Sequence, residues 1–196
     1  MPRISAETVA EHVAQQEAAV FAAAIALFLE RGYAEVSLGD IAAAVGLKRT
    51  SLYRYFPDKA SILVRWLRRE LDAEAELTAG LLGAGEGAPA VRDRIERWVD
   101  HQLAYARRPE HALICALPDV DRSLDDATRA ELAAAHQRVL APLHDVLRAG
   151  GLADAAAAAT TTLLFGLVRA AADAPAGDTV LRARLSAALD GLLPAL

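Results

Sequence analysis

Seven cationic side chains crowd residues 46–69: Lys48, Arg49, Arg54, Lys59, Arg65, Arg68 and Arg69, with Asp58 as the one carboxylate among them. The local charge is +6 in a 196-residue chain of formal net charge −5, which leaves −11 for the remainder. Tyr53 and Tyr55 are interleaved with the cations, and the group follows Gly46. A guanidinium bridges guanine O6 and N7 with paired hydrogen bonds, while ammonium, hydroxyl and phenol groups meet phosphates or the thymine methyl. The chemistry open to this segment is recognition of a polyanion at one place. The acidic remainder limits non-specific adhesion.

Such a reader has to be held rigidly. The stretch DIAAAVGLKRTSLYRYF, Asp40 to Phe56, starts as an apolar helical pattern, breaks at Gly46 and restarts. Ser37 is the expected N-cap of the first piece, with Asp40 reaching back in the manner of a capping box, although Glu or Gln is the usual partner. Leu38, Ile41, Ala42 and Val45 form its buried face, and Leu47 and Leu52 complete a small core. The second piece opens at Lys48 or Arg49 and runs through about Tyr55. Two short helices joined by a glycine turn make a helix-turn-helix, whose second helix fits the major groove, about 12 Å wide.

The rest of the chain is also patterned for helices. Ala and Leu dominate a composition that is 54% hydrophobic, β-branched runs are scarce, and no strand pattern or repeat stands out. A first helix is expected from about Ala6 to Arg31, with Gly32 ending it. Asp58 suits the N-cap of a fourth helix that fades near 80–89. A helix through Val91 to Leu103 is expected to stop at Pro109, followed by a short helix Glu110 to Leu117 and a polar loop DVDRSLDD. Longer helices over about 125–149, 152–173 and 178–193 complete an all-α chain of about nine helices. The expected organisation is a DNA-binding domain over 6–62 and a ligand-binding and dimerisation domain over 63–196.

Phe28 to Leu63, FLERGYAEVSLGDIAAAVGLKRTSLYRYFPDKASIL, resembles the DNA-binding domain of the TetR family of bacterial transcriptional regulators. The resemblance is carried by RGY, Ser37 with DIA, VGL and SLYRYFPDK, and covers roughly the first third of the chain. It implies a homodimer on a palindromic operator in double-stranded DNA, a small-molecule ligand in the C-terminal domain, and repression relieved by that ligand. Carried over by position, Arg49, Thr50 and Arg54 face bases; Tyr53, Tyr55 and Lys59 contact phosphate or hold the recognition helix; Ser37 caps and touches phosphate. Lys48 stands where many members carry Ser or Thr, so the recognition helix lacks its usual side-chain cap. Thr50 replaces a frequent Gly, which alters base contacts.

In the second domain, Trp98, Gln102 and Tyr105 share one helix face, His136 and His144 interrupt an apolar helix, and Thr161, Phe165 and Arg169 line up on another. Polar groups converging on an apolar site suit a ligand pocket, and each also suits a satisfied core position. Leu163, Leu164, Leu167, Leu185, Leu189 and Leu192 supply apolar area for pairing the last two helices with a two-fold copy.

His101, His111, His136 and His144 form no metal-ligand spacing, and no metal or cofactor is expected. Cys115, the single cysteine, excludes an internal disulfide and fits a small buried hydrophobe in a cytoplasmic protein. The polar N-terminus does not read as a signal peptide, and no membrane span is expected. A repressor released by its ligand is the expected function. The alternatives are an activator of the same fold and a helical small-molecule binder without a DNA role. A helical enzyme lacks a nucleophile, base or metal cluster to support it.

Overall fold

The computed structural model describes residues 6–85, 89–115, 124–175 and 177–193, including their side chains except at 6–10, 112, 114, 115 and 178. The described residues form nine α-helices and no strand: α1 Ala6–Arg31, α2 Leu38–Ala44, α3 Arg49–Tyr53, α4 Lys59–Leu82, α5 Val91–Ala106, α6 Pro109–Cys115, α7 Asp126–Ala149, α8 Asp154–Ala172 and α9 Asp178–Leu192. The chain divides into two compact units, Met1–Arg69 with Ala112–Asp125, and Glu70–His111 with Asp126–Leu196. The Cys115 side chain, Leu117 and most of the DVDRSLDD loop lie outside the described residues.

The first unit is built on α1, whose Val20, Phe21, Ala24, Ile25 and Phe28 are buried at helical spacing. Gly32 ends α1 with φ +84°, and its N–H donates to the Phe28 carbonyl at 2.9 Å. The capping box of α2 is complete: Asp40 N–H donates to Ser37 Oγ at 3.2 Å, and Ser37 N–H donates to Asp40 Oδ2 at 2.8 Å. At the other end of α2, Gly46 takes φ +69°. Leu47 N–H then reaches the Ala42 carbonyl at 2.8 Å and Gly46 N–H the Ala43 carbonyl at 3.1 Å. This is a Schellman motif, and its left-handed residue is what turns the chain into α3. Leu38, Ile41, Ala42 and Leu52 are buried; Val45 and Leu47, expected among them, are only half-buried because the turn lifts them toward the surface. Asp58 N-caps α4, its Oδ1 accepting from Ser61 N–H at 2.7 Å.

The second unit packs α5, α7, α8 and α9 around Ile95, Trp98, Leu103, Leu143, Leu147, Leu164 and Leu189. Each side chain so buried contributes about 1.5–3 kcal/mol, which is ample for a unit of this size without staples. Arg94 is itself buried and donates from Nη1 to the Leu82 carbonyl at 2.7 Å, satisfying an orphan acceptor at the end of α4. Pro109 does not stop α5, which ends at Ala106; it opens α6 instead. A helix's first residue needs no hydrogen-bonded N–H, so proline fits there. Pro142 sits inside α7, where it removes one backbone donor.

The leucines expected to pair with a second copy divide into two groups. Leu164, Leu185 and Leu189 belong to the core of their own unit, and Leu192 packs beside it. Leu163 and Leu167, one turn apart on α8, are 53% and 39% exposed, and Val180 on α9 is 57% exposed. Two helices, Glu11–Arg31 and Asp154–Ala172, do reach the length and mean hydropathy, 1.4 each, of a membrane span. Both are alanine-rich and contribute a buried face to a folded unit.

Candidate nucleic-acid interface

α3 is anchored from beneath. Leu52 is 0% and Phe56 2% exposed, and the Phe56 ring meets Phe21 edge-on at 5.9 Å. With these two anchors inside, Arg49, Thr50, Tyr53, Arg54 and Tyr55 all lie exposed, as does Lys48. The helix is two residues shorter than expected: Arg54 and Tyr55 form a tightened turn, with Tyr55 N–H donating to the Leu52 carbonyl at 3.0 Å. Pro57 accounts for this, since it disfavours helical backbone in the residue before it. Lys48 is the N-cap and makes no side-chain capping hydrogen bond.

Arg49 Nη2 donates to Tyr53 Oη at 2.9 Å, one turn along, and its guanidinium also lies 5.3 Å from the Tyr53 ring centroid. This contact orders two long side chains at the surface and leaves the remaining guanidinium donors available. Among the described residues, no side-chain hydrogen bond or ion pair holds Lys48, Thr50 or Arg54. Ser37 is engaged with Asp40 but exposed at the start of α2.

Lys59 requires a correction. Its ammonium donates to the carbonyls of Tyr33, Ala34 and Val36 at 2.6, 2.9 and 2.9 Å, and lies 4.5 Å from the Tyr33 ring centroid. Three protons are thereby committed to the α1–α2 loop, so Lys59 has no donor left for phosphate. It ties α4 to that loop, and through it positions α2. Nor are the cations of α4 an extension of the patch. Arg65 and Arg69 both pair with Glu17, the latter at 3.7 Å, and lie over the rings of Phe56 and Phe21. Glu17 was missed by a reading confined to residues 46–69, because its role depends on α1 packing beside α4.

Gln102 and the neighbouring His101 meet at a carboxylate that sequence reasoning did not single out. Glu74 is 5% exposed; its Oε1 accepts from Gln102 Nε2 at 2.6 Å and meets His101 Nε2 at 2.7 Å. A signal was present: Leu63, Leu67, Leu71, Glu74, Thr78 and Leu82 form one buried stripe of α4 at spacings of three and four. Gln102 is therefore a partner of Glu74, and Trp98 is a fully buried core residue whose Nε1 has no protein partner. Tyr105 packs between the rings of His101 and His111, and its buried hydroxyl is also unpartnered. Burial, reinforced by Glu74 and Glu70, pushes the phenol up to about 12. His136 meets Phe165 edge-on at 5.4 Å. Burial and then the charge of Arg169 lower the pKa of both His136 and His111, with Asp173 opposing the shift at His111. Thr161, buried on α8, leaves its Oγ1 without a partner.

Residues 20–65 match the family model "Bacterial regulatory proteins, tetR family". HTH-type transcriptional regulator EthR of Mycobacterium tuberculosis strain H37Rv is 32% identical over 83 residues, 42% of this chain and 37% of that protein. The chain thus spans little more than a third of that curated relative. HTH-type transcriptional repressor Rv1474c of the same organism is 27% identical over 137 residues, 69% of this chain and 67% of that protein. A TetR-family transcriptional regulator from Bordetella parapertussis has a similar solved structure, with TM-score 0.66 and 25% identity, covering 90% of this chain and 93% of the other. A helix-turn-helix with an outward α3 and the family match over those same helices agree: residues 20–65 form a DNA-binding domain of the TetR family of bacterial transcriptional regulators.

Proposed function

We propose that this chain is a cytoplasmic, homodimeric, sequence-specific DNA-binding regulator that represses from a palindromic operator and is released by a small molecule held in its second unit. The observation that carries the reading is the state of α3. Lys48, Thr50 and Arg54 are exposed without side-chain partners, Arg49 is oriented by Tyr53, and Leu52 and Phe56 lock the helix from inside. A surface helix so built costs little to dock, because its backbone is already fixed and few side chains remain to be ordered. Tyr53 and Tyr55, at 42% and 43% exposure, serve the phosphates that flank the groove.

Repression is the activity named for the Mycobacterium tuberculosis relative matched over 137 residues. Release follows from a population shift: a ligand that prefers one setting of α4 changes the separation of two recognition helices, about 34–36 Å in the competent dimer. α4 suits this because its residues through Arg69 belong to the first unit and those from Glu70 onward to the second. The exposed Leu163 and Leu167 of α8, flanking an open Gly166, supply the apolar face on which a two-fold copy packs.

Fluorescence anisotropy with the DNA upstream of the gene tests the reading. Three cations per protomer, Lys48, Arg49 and Arg54, give six in a dimer and a log–log salt slope of about −5, or about a thousandfold loss between 50 and 200 mM salt. Absence of salt-sensitive binding, or binding indifferent to the double change Arg49→Ala and Arg54→Ala, overturns it.

A further inference from the structure

The buried carboxylate of Glu74 sits where the ligand-responsive reading above needs specificity, and the inference rests on that reading for its regulatory meaning. All three hydrogen bonds to Glu74 fall on one oxygen: Gln102 Nε2, His101 Nε2 and, at 3.5 Å, Thr78 Oγ1 all address Oε1. Oε2 accepts no hydrogen bond among the described residues. A carboxylate offers about four lone-pair sites, so half of its capacity is open, and Oε2, unlike the Tyr105 hydroxyl, is not fully closed off from solvent. Among the described residues its charged neighbour is His101, at 2.7 Å, and no Lys or Arg pairs with it.

The surroundings select the sign of a partner. Tyr105, one turn beyond His101 on α5, has a buried hydroxyl with no partner. Burial raises the phenol's pKa, the carboxylates of Glu74 and Glu70 add to the rise, and the guanidinium of Arg108, 5.2 Å from the ring centroid, opposes it. On the same face of α5, one turn before Gln102, the indole N–H of Trp98 is also buried and unpartnered at 0% exposure. The open carboxylate oxygen and the unpartnered Tyr105 hydroxyl beside aromatic rings point to a ligand with a hydrogen-bond-donating, positively charged head and an apolar body; the Trp98 N–H, a donor only, takes no part in holding that head. The other polar group of the unit, Arg169 with His111 and His136, lacks a comparably buried unsatisfied charge: Arg169 is exposed and both imidazoles are held toward the neutral form.

We propose that the second unit binds protonated organic amines, with the ammonium donating to Glu74 Oε2 and to the Tyr105 hydroxyl and the apolar body lying against the aromatic side chains of α5 and α8.

The test is isothermal titration of the full-length protein with a matched set of probes: 4-phenylbutylamine, 4-phenylbutyrate and 4-phenylbutanol. The amine is expected to bind and the other two to bind at least about tenfold more weakly. Glu74→Gln, which keeps shape and can still accept from Gln102 and His101, should weaken the amine by about ten- to a hundredfold and leave the alcohol unchanged. Tyr105→Phe, a milder variant that keeps the ring and the carboxylate, should weaken the amine several-fold, and unaltered circular dichroism in either variant shows the fold is retained. Preference for the acid or alcohol, no amine binding in the millimolar range, or amine affinity indifferent to both variants overturns the proposal. Operator binding, read in parallel, separates the two claims. Amine binding that depends on Glu74 but does not shift DNA affinity sinks the ligand-release mechanism and keeps the site. Release by the acid or the alcohol keeps the mechanism and sinks the amine class.

Discussion

Replacing Lys59 by Met separates a residue that reads DNA from one that builds the reader. Methionine keeps the unbranched stem and removes all three donors. The ammonium's contacts are three carbonyls, those of Tyr33 and Val36 partly buried and that of Ala34 exposed, plus the Tyr33 ring. A hydrogen bond from a charged group is worth about 1.5–3 kcal/mol net, and the ring contact about 0.5–1 kcal/mol. The contributions do not add fully, because the Ala34 carbonyl turns to water and the half-buried ammonium is partly solvated already. A loss of about 2–4 kcal/mol in the first unit follows, which for a unit of about 80 residues lowers its melting transition by about 10–20 °C.

The DNA side of the experiment gives the decisive contrast. At 20 °C the variant remains mostly folded, and the salt slope should stay at about −5, since no phosphate contact is removed. Arg54→Ala is the control: it removes one cation per protomer, so the slope of the dimer should fall by about 2 while the melt barely moves. Thermal melts followed by circular dichroism and anisotropy titrations at four salt concentrations read both quantities. A Lys59→Met protein that melts like the parent and loses about 2 from its slope refutes the assignment and returns Lys59 to the phosphates.

Gly46→Ala should cost about 1–2 kcal/mol in urea unfolding, because an added Cβ meets nothing within 4 Å and the penalty is purely that of φ +69°; a neutral result denies the left-handed turn. Asp40, held below its ordinary value of 3.8 by its hydrogen bonds with Ser37, contributes stability present above that pH and lost as acid protonates it in the fold. Ser37→Ala should therefore flatten the acid limb of the first unit's stability curve. His136, lowered from 6.5 mainly by burial, acts on the second unit in the window just below that value: the unfolded chain takes up the proton first, so stability falls with pH. His136→Leu should remove part of that fall between about pH 7 and 5 in thermal melts. Leu163→Arg with Leu167→Arg should convert the dimer to monomer in light scattering while far-ultraviolet dichroism is unchanged; an unaltered mass places the dimer face elsewhere.

The first unit was open to sequence reasoning because its determinants are local. A capping box spans four residues, a Schellman motif six, and a glycine with no φ preference marks the joint between them. Those signals located α2, the turn and α3 to within two residues. Charge proximity in the chain misled at the same place. Lys59 lies ten residues from Arg49 in sequence, yet its ammonium points at carbonyls more than twenty residues earlier. Nothing within the window 46–69 encodes where the α1–α2 loop will pass, nor that Glu17 will neutralise Arg65 and Arg69.

In the second unit the helices were legible from period and punctuation, but the order of packing was not, and the polar interior is a product of packing. Trp98, Gln102 and Tyr105 could be placed on one face from their spacing alone. What they meet could not, because the partner is Glu74 on α4, 28 residues from Gln102 and masked by the charged composition of its own helix. The stripe from Leu63 to Leu82 contains the clue: a carboxylate and a threonine occupy positions that the period assigns to the interior. A charged residue at an interior position is either an error of phase or a group with a function, and the buried Leu63, Leu67 and Leu71 before it and Leu82 after it rule out the error of phase. For this fold, the residue that violates the pattern of α4 is thus a better guide to the polar interior than those that merely share a face of α5.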